Sequence, residues 1–206
     1  QRLTEHIIGM DGAVIKGPEV PSTADYIETA HKVMAQLQPR FDKRFGGFGS
    51  APKFPNPFNL KFLLRYYFVT GNQEALEHTV LTLQKMGGGG IYDHLGGGFA
   101  RYSVDEYWLA PHFEKMLYDN ALLVSNLAEA YQITHDSFFK QKAEETLTFV
   151  ARELTHPLGG FYAALDADSE GVEGKFYTWH AGEIAEILGN DAPWFMEYYD
   201  VSEVGN

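Results

Sequence analysis

The chain has 206 residues, 45% of them hydrophobic, with no cysteine and a formal net charge of -12. That is enough apolar material for one domain with a sizeable core, while the charge repels nucleic acid and anionic membrane surfaces. The lack of cysteine excludes disulfides, thiolate metal sites and thiol catalysis within it, and with neither a signal-peptide pattern nor an apolar run of about 18 residues, no membrane partner and, by default, a cytoplasmic location are expected.

Residues 1–20 show no hydrophobic period and read as a linker or arm, and the two ends, Gln1 and Gly205-Asn206, read as cuts in a longer protein. A first helix is predicted over about 23–38, with Tyr26, Ile27, Ala30, Val33, Met34 and Leu37 on one face. A second follows Asn56-Pro57 as cap and first-turn pair, turns Leu60, Leu63, Leu64 and Tyr67 inward, and stops at Gly71. The third runs from about 73 to 86 with Leu76, Val80 and Leu83 inward. The fourth, about 112–134 and led by Pro111, buries Phe113, Met116, Leu117, Asn120, Val124, Leu127 and Tyr131. The fifth starts after Asp136 as its cap and presents Phe139, Ala143, Leu147, Val150 and Leu154 at helical spacing. A short helix at about 181–188 and an aromatic segment at 193–199 finish the chain.

The links between these helices alternate between long (39–56, 87–111, 156–180) and two residues (Gly71-Asn72, His135-Asp136). Two-residue links force antiparallel neighbours, so all three long loops fall at one end. Two of them carry strand signals, with 99–104 and 106–110 alternating about Asp105, and 161–165 able to pair with 175–179. Repeated antiparallel helical pairs elaborated at one end are the plan of an α/α toroid. A six-hairpin ring needs roughly twice this length, so residues 21–206 are expected to form about half of one, mainly α with small β-hairpins in the loops.

The segments GGFGSAPKFP (46–55), GGGGIYDHLGGGFARYSVDEYWLAPHFEKMLYDNA (87–121) and GGFYAALDADSEGVEGKFYTW (159–179) resemble the hallmark stretches of the spermatogenesis-associated protein 20 family. That resemblance implies a thioredoxin-like domain before residue 1 and a six-hairpin toroid similar to N-acylglucosamine 2-epimerases, of which this chain is the first half. It brings no catalytic residue with it.

The loops hold two sets of candidates for chemistry. An epimerase acting beside a carbonyl needs a base and an acid with pKa values near working pH, and His94 and His112 on one rim fit that need, by analogy with epimerases of this fold. In the predicted fourth helix His112 shares a face with Lys115 and Asp119. Glycoside hydrolysis needs two carboxyl groups instead, for instance Glu114 with Asp168. Arg101 and Lys115, with the first-turn amides after Pro111, form a potential anion pocket. Lys53, Tyr102, Asp105, Trp108, Tyr118, Asp119, Asp166 and Glu170 complete the expected binding set. The competing reading is structural: lysines and Arg101 stapling loops, aspartates capping amides, aromatics packing the rim.

No cofactor and no metal are expected. The run Asp166-Ala167-Asp168-Ser169-Glu170-Gly171 imitates a calcium loop, but Tyr177 stands where its twelfth ligand should be. Neither Gly87–Gly90 nor Gly96–Gly98 matches a phosphate loop, and close backbone approach is the expected use of these glycines. The function expected is a carbohydrate-active toroid, epimerase- or isomerase-like on a sugar or sugar derivative. A noncatalytic toroid serving the thioredoxin-like domain is the alternative, and a glycoside hydrolase-like toroid the third. The expected partners are a sugar or small anionic ligand, the missing domain and ring half, and a second copy meeting an exposed helix face.

Overall fold

The computed structural model describes residues 22–204, so the arm expected at 1–20 lies outside the described residues. The described residues divide into two compact units, the boundary falling between Pro39 and Arg40. The first holds helix α1 (Thr23–Leu37), started by Ser22 and Asp25, each accepting the other's backbone N–H in a capping box. Of its predicted stripe only Met34 and Leu37 are buried, while Tyr26 and Ile27 are exposed.

The second unit is built on two helical hairpins, α2 (Pro57–Thr70) with α3 (Gln73–Gly88), and α4 (Leu117–Thr134) with α5 (Ser137–Glu153). Asn72 and Asp136 cap α3 and α5 through their side chains. Gly71 and His135 end α2 and α4 in the left-handed conformation, so each link turns the chain back at once. Asn56 does not cap α2: it is left-handed itself and spends its side-chain amide on the Phe54 carbonyl. The hairpins stand side by side, α2 against α4 and α3 against α5. The core is drawn from Leu60, Leu63 and Leu64, from Leu83 and Met86, from Leu123 and Leu127, and from Phe139 and Phe149. Leu147, placed inward by the spacing, is exposed, and Thr146 and Phe149 take the inner positions. A small hairpin of α6 (Ala181–Leu188) and α7 (Ala192–Tyr198) follows. Among the described residues no helix is long and apolar enough to cross a membrane.

The three long loops do gather into one layer, through pairings between loops that periodicity does not show. Strand β1 (Tyr102–Ser103) pairs antiparallel with β2 (Pro111–His112), β3 (Lys115–Met116) with β4 (Ala164–Leu165), and β5 (Asp168–Ser169) with β6 (Val172–Glu173). The second loop's hairpin therefore closes at 111–112 rather than 106–110. Residues 161–165 do not pair with 175–179, because 164–165 reach back to the second loop. This pairing also shortens the fourth predicted helix: with residues 111–116 committed to strands, α4 begins at Leu117 and not at 112.

Candidate functional site

The loops begin with the same turn, repeated three times. In FDKRFGGF (41–48), YDHLGGGF (92–99) and THPLGGF (155–161), the first and last residues form an antiparallel bridge, Phe41 with Phe48, Tyr92 with Phe99, Thr155 with Phe161. In each, the second residue donates its N–H to the second glycine of the Gly-Gly pair and accepts from the first, at 2.9–3.2 Å. Both glycines have φ between +70° and +90° in all three copies, a region L-residues avoid. Asp42 Oδ1 accepts the N–H groups of Arg44 and Phe45, and Asp93 Oδ1 those of Leu95 and Gly96. His156 Nδ1 does the same for Leu158 in the third copy.

A buried lysine locks each of the first two turns. Lys53 Nζ donates to Asp42 Oδ2 and to the Gly46 carbonyl, and Lys115 Nζ to Asp93 Oδ2 and the Gly97 carbonyl. The two are 1% and 3% exposed. Each also pairs its backbone with the next loop at the fourth residue after the phenylalanine, Lys53 with Ser103 and Lys115 with Leu165. Burial pushes the Lys115 amine below the usual lysine range, and Asp93 opposes the shift. Both ammonium groups are thus committed to the fold. The anion pocket expected from Arg101, Lys115 and a helix start after Pro111 is not built, since Lys115 is buried, Arg101 pairs with Glu114 at 2.7 Å, and α4 starts later.

One open site lies where the first turns of α2 and α4 meet. A pocket of about 360 Å³ is lined there by Phe54, Asn56, Phe58, Arg101, Tyr118 and Asp119, among others. Asp119, in the first turn of α4, is 6% exposed. Burial pushes its carboxyl up to about 6; Arg101 works against the shift and Glu114 adds to it. Phe54 packs on Tyr102 (4.9 Å between ring centres), and Tyr102 stacks on His112 (4.8 Å, 14°). Nε2 of His112 lies 3.3 Å from Glu173, so the third loop closes this end of the row. Among the described residues Nδ1 of His112 has no hydrogen-bond partner.

The structure separates the other candidates from this pocket. His94 donates from Nε2 to the Gly89 carbonyl at 2.9 Å and lines a different cleft, with Glu144, Glu145 and Arg152. Asp105 accepts the amides of Tyr107, Leu109 and Ala110; against the opposing effect of burial they hold its carboxyl below the usual range. Trp108 is fully buried, with its indole N–H on the Phe45 carbonyl. Asp166 accepts the Asp168 amide, Asp168 lies on the exposed β5, and Glu170 pairs with Lys175. The glycines of 87–90 are architectural: a Cβ on Gly89 would stand 2.6 Å from the Trp108 carbonyl oxygen, and one on Gly90 2.0 Å from that of Leu109. The threefold turn and its lysines escaped the reading by periodicity, although the Gly-Gly-Phe repeat is written in the sequence.

No family model matches the chain. Over its whole length it is similar to spermatogenesis-associated protein 20 of Mus musculus, 37% identical over 226 residues, and it spans 28% of that protein. The resemblance of the glycine-rich segments to that family therefore extends along all of the chain. Among solved structures, a sugar epimerase from a ruminal bacterium superposes with a TM-score of 0.60 at 13% identity, covering 84% of this chain and 53% of that one. The GH76 α-mannanase of Bacteroides thetaiotaomicron gives 0.58 at 16% identity, covering 87% and 53%. At such identities the likeness is one of fold, an α/α toroid of which this chain matches about half.

Proposed function

We propose that this chain carries part of a carbohydrate-active site, and that its chemistry is an isomerase- or epimerase-like proton transfer beside a sugar carbonyl. The observation that carries the reading is Asp119, a buried carboxyl with a pKa raised to about 6, opening on a pocket with exposed aromatic walls. A carboxyl tuned to that value is populated in both forms near neutral pH, as general acid-base catalysis requires. As carboxylate it removes the proton from the carbon next to the carbonyl of an open-chain sugar. Returning a proton, in part exchanged with solvent on the carboxyl, to the former carbonyl carbon while the proton of the neighbouring hydroxyl passes to the former carbonyl oxygen completes an aldose-ketose isomerisation with one base; returning a proton to the original carbon on the opposite face instead gives epimerisation and needs a second acid. The guanidinium of Arg101, oriented by Glu114, has N–H groups left to polarise the carbonyl oxygen. Phe54, Phe58 and Tyr118 offer faces to the C–H side of a sugar ring.

Hydrolysis is less well supported, because Glu114 is tied to Arg101 and Asp168 does not line the pocket. The noncatalytic reading has one observation in its favour: apart from Asp119, the charged rim groups Lys53, Lys115, Arg101 and Glu114 are all paired. Incubation with glucose, mannose, cellobiose and N-acetylglucosamine in deuterated water separates the two. Proton transfer writes deuterium into C1 or C2 of one sugar, at a rate at least tenfold lower in Asp119→Asn. Saturable binding with no deuterium incorporated would favour the noncatalytic toroid.

A further inference from the structure

A cavity of about 590 Å³, separate from the Asp119 pocket, lies between the turn at 93–96 and the segment 169–183 of the third loop. We infer that it is a second saccharide site, one that grips a neutral oligosaccharide away from the proton-transfer pocket. The inference takes the carbohydrate reading above as its premise but not the chemistry of Asp119.

The argument starts from the aromatics. Phe176 is 73% and Trp179 53% exposed, yet they stand on a segment with little freedom. Gly174 takes the Ala167 carbonyl through its N–H, and its own carbonyl accepts the N–H groups of Tyr177 and Thr178 at 2.8 and 3.0 Å. Its φ is +73°, and a Cβ there would stand 2.5 Å from the Phe113 ring. Tyr177 stacks face to face on Phe113 (5.4 Å, 3°), and Phe176 meets Tyr177 edge-on (5.1 Å, 85°). The backbone leading to both aromatics is thus held, and the Phe176 ring rests against Tyr177, before any ligand arrives, which lowers the ordering cost of binding.

Charge selects the ligand class. Asp93 is paired with Lys115 and Glu170 with Lys175, while the Glu183 carboxylate accepts the His180 backbone N–H. No unpaired cation is left for a phosphate or carboxylate, and the paired oxygens and the Ser169 hydroxyl remain as hydrogen-bonding groups. Aromatic faces beside paired polar groups suit a ligand with C–H faces and many hydroxyls and no charge. A volume near 600 Å³ is within the range of small-molecule sites, about 300–1,000 Å³, and accommodates more than one sugar ring.

Saturation-transfer NMR with cellotetraose and mannotetraose tests this. The expected result is transfer to at least one of them in the unaltered protein and in Asp119→Asn, reduced at least tenfold in affinity by Trp179→Ala and by Phe176→Ala. Both side chains are largely exposed, and unchanged thermal melting would confirm the fold. Equal binding by both aromatic variants, no binding at all, or loss of binding in Asp119→Asn alone would overturn the second site. Tighter, Trp179-dependent binding of a lysine-rich control peptide would overturn the saccharide assignment. Failure here leaves the deuterium incorporation at Asp119 untouched, so the two proposals fall separately.

Discussion

Two buried titratable groups pull the stability of the protein in opposite directions with pH. His78 on α3 stacks on Phe41 (3.8 Å, 3°) and bonds the Gly47 carbonyl through Nε2, and burial lowers its pKa from 6.5 to about 4. Between those values the unfolded chain holds a proton that the folded protein does not, so stability rises with pH through the window, by up to about 3 kcal/mol. Asp119 does the reverse. Its folded carboxyl keeps its proton up to about 6 while the unfolded one loses it near 3.8, so stability falls as pH rises through that range, again by up to about 3 kcal/mol. The slopes largely cancel between about pH 4 and 6. Urea unfolding is expected to show stability rising more steeply with pH there in Asp119→Asn than in the unaltered protein, and less steeply or falling in His78→Gln. Asp119 stands out in the sequence only as one acidic residue among several, because its pKa depends on burial, which the sequence pattern does not print.

At the scale of elements, the three Gly-Gly-Phe turns are one device in three settings. A Cβ on Gly47 would lie 2.6 Å from the Trp108 ring and one on Gly98 2.5 Å from the Phe149 ring, whereas nothing lies within 4 Å at Gly160. All three share the positive φ, worth about 1–2 kcal/mol when an L-residue is forced into it. Gly160→Ala is therefore expected to cost about that much, and Gly47→Ala and Gly98→Ala at least about 2 kcal/mol more through overpacking, as read by denaturant unfolding. The lysine clasps make the same kind of contrast. Lys53→Met leaves Asp42 and two carbonyls without their donor and is expected to cost about 3–5 kcal/mol. Lys175→Met breaks an exposed pair and is expected to cost under about 1 kcal/mol. Helices α2, α3 and α5 were legible because caps, glycine stops and a 3.6-residue period are local. Strand segments were legible at 99–104 and 161–165 but their partners were not, since Lys53 finds Ser103 and Lys115 finds Leu165 only after the hairpins have brought the loops together. That long-range pairing also moved the start of α4 and took His112 off the helix.

At the scale of the whole molecule, alternating link lengths were enough to place three long loops at one end, and the solved toroids, which the chain covers to 53%, agree with about half a ring. The candidate site was legible as a neighbourhood rather than as a constellation. His94, paired with His112 in the sequence reading, lines a cleft apart from the Asp119 pocket, His112 is stacked on Tyr102, and the lysines and Trp108 are buried in the rim. Phe58 and Phe68 on α2 are among the most exposed aromatics of the described residues and offer an apolar face to a second copy. Sedimentation velocity is expected to show association that grows with concentration; a monomer at all concentrations would count against it.

If Asp119 is a tuned carboxyl facing a sugar, its own titration shows it. In a ¹³C NMR titration of the aspartate carboxyl groups, Asp119 is predicted to titrate near 6 and to move when the sugar that takes up deuterium is added at saturation. A pKa near 4, unchanged by any sugar of the panel, would contradict the account.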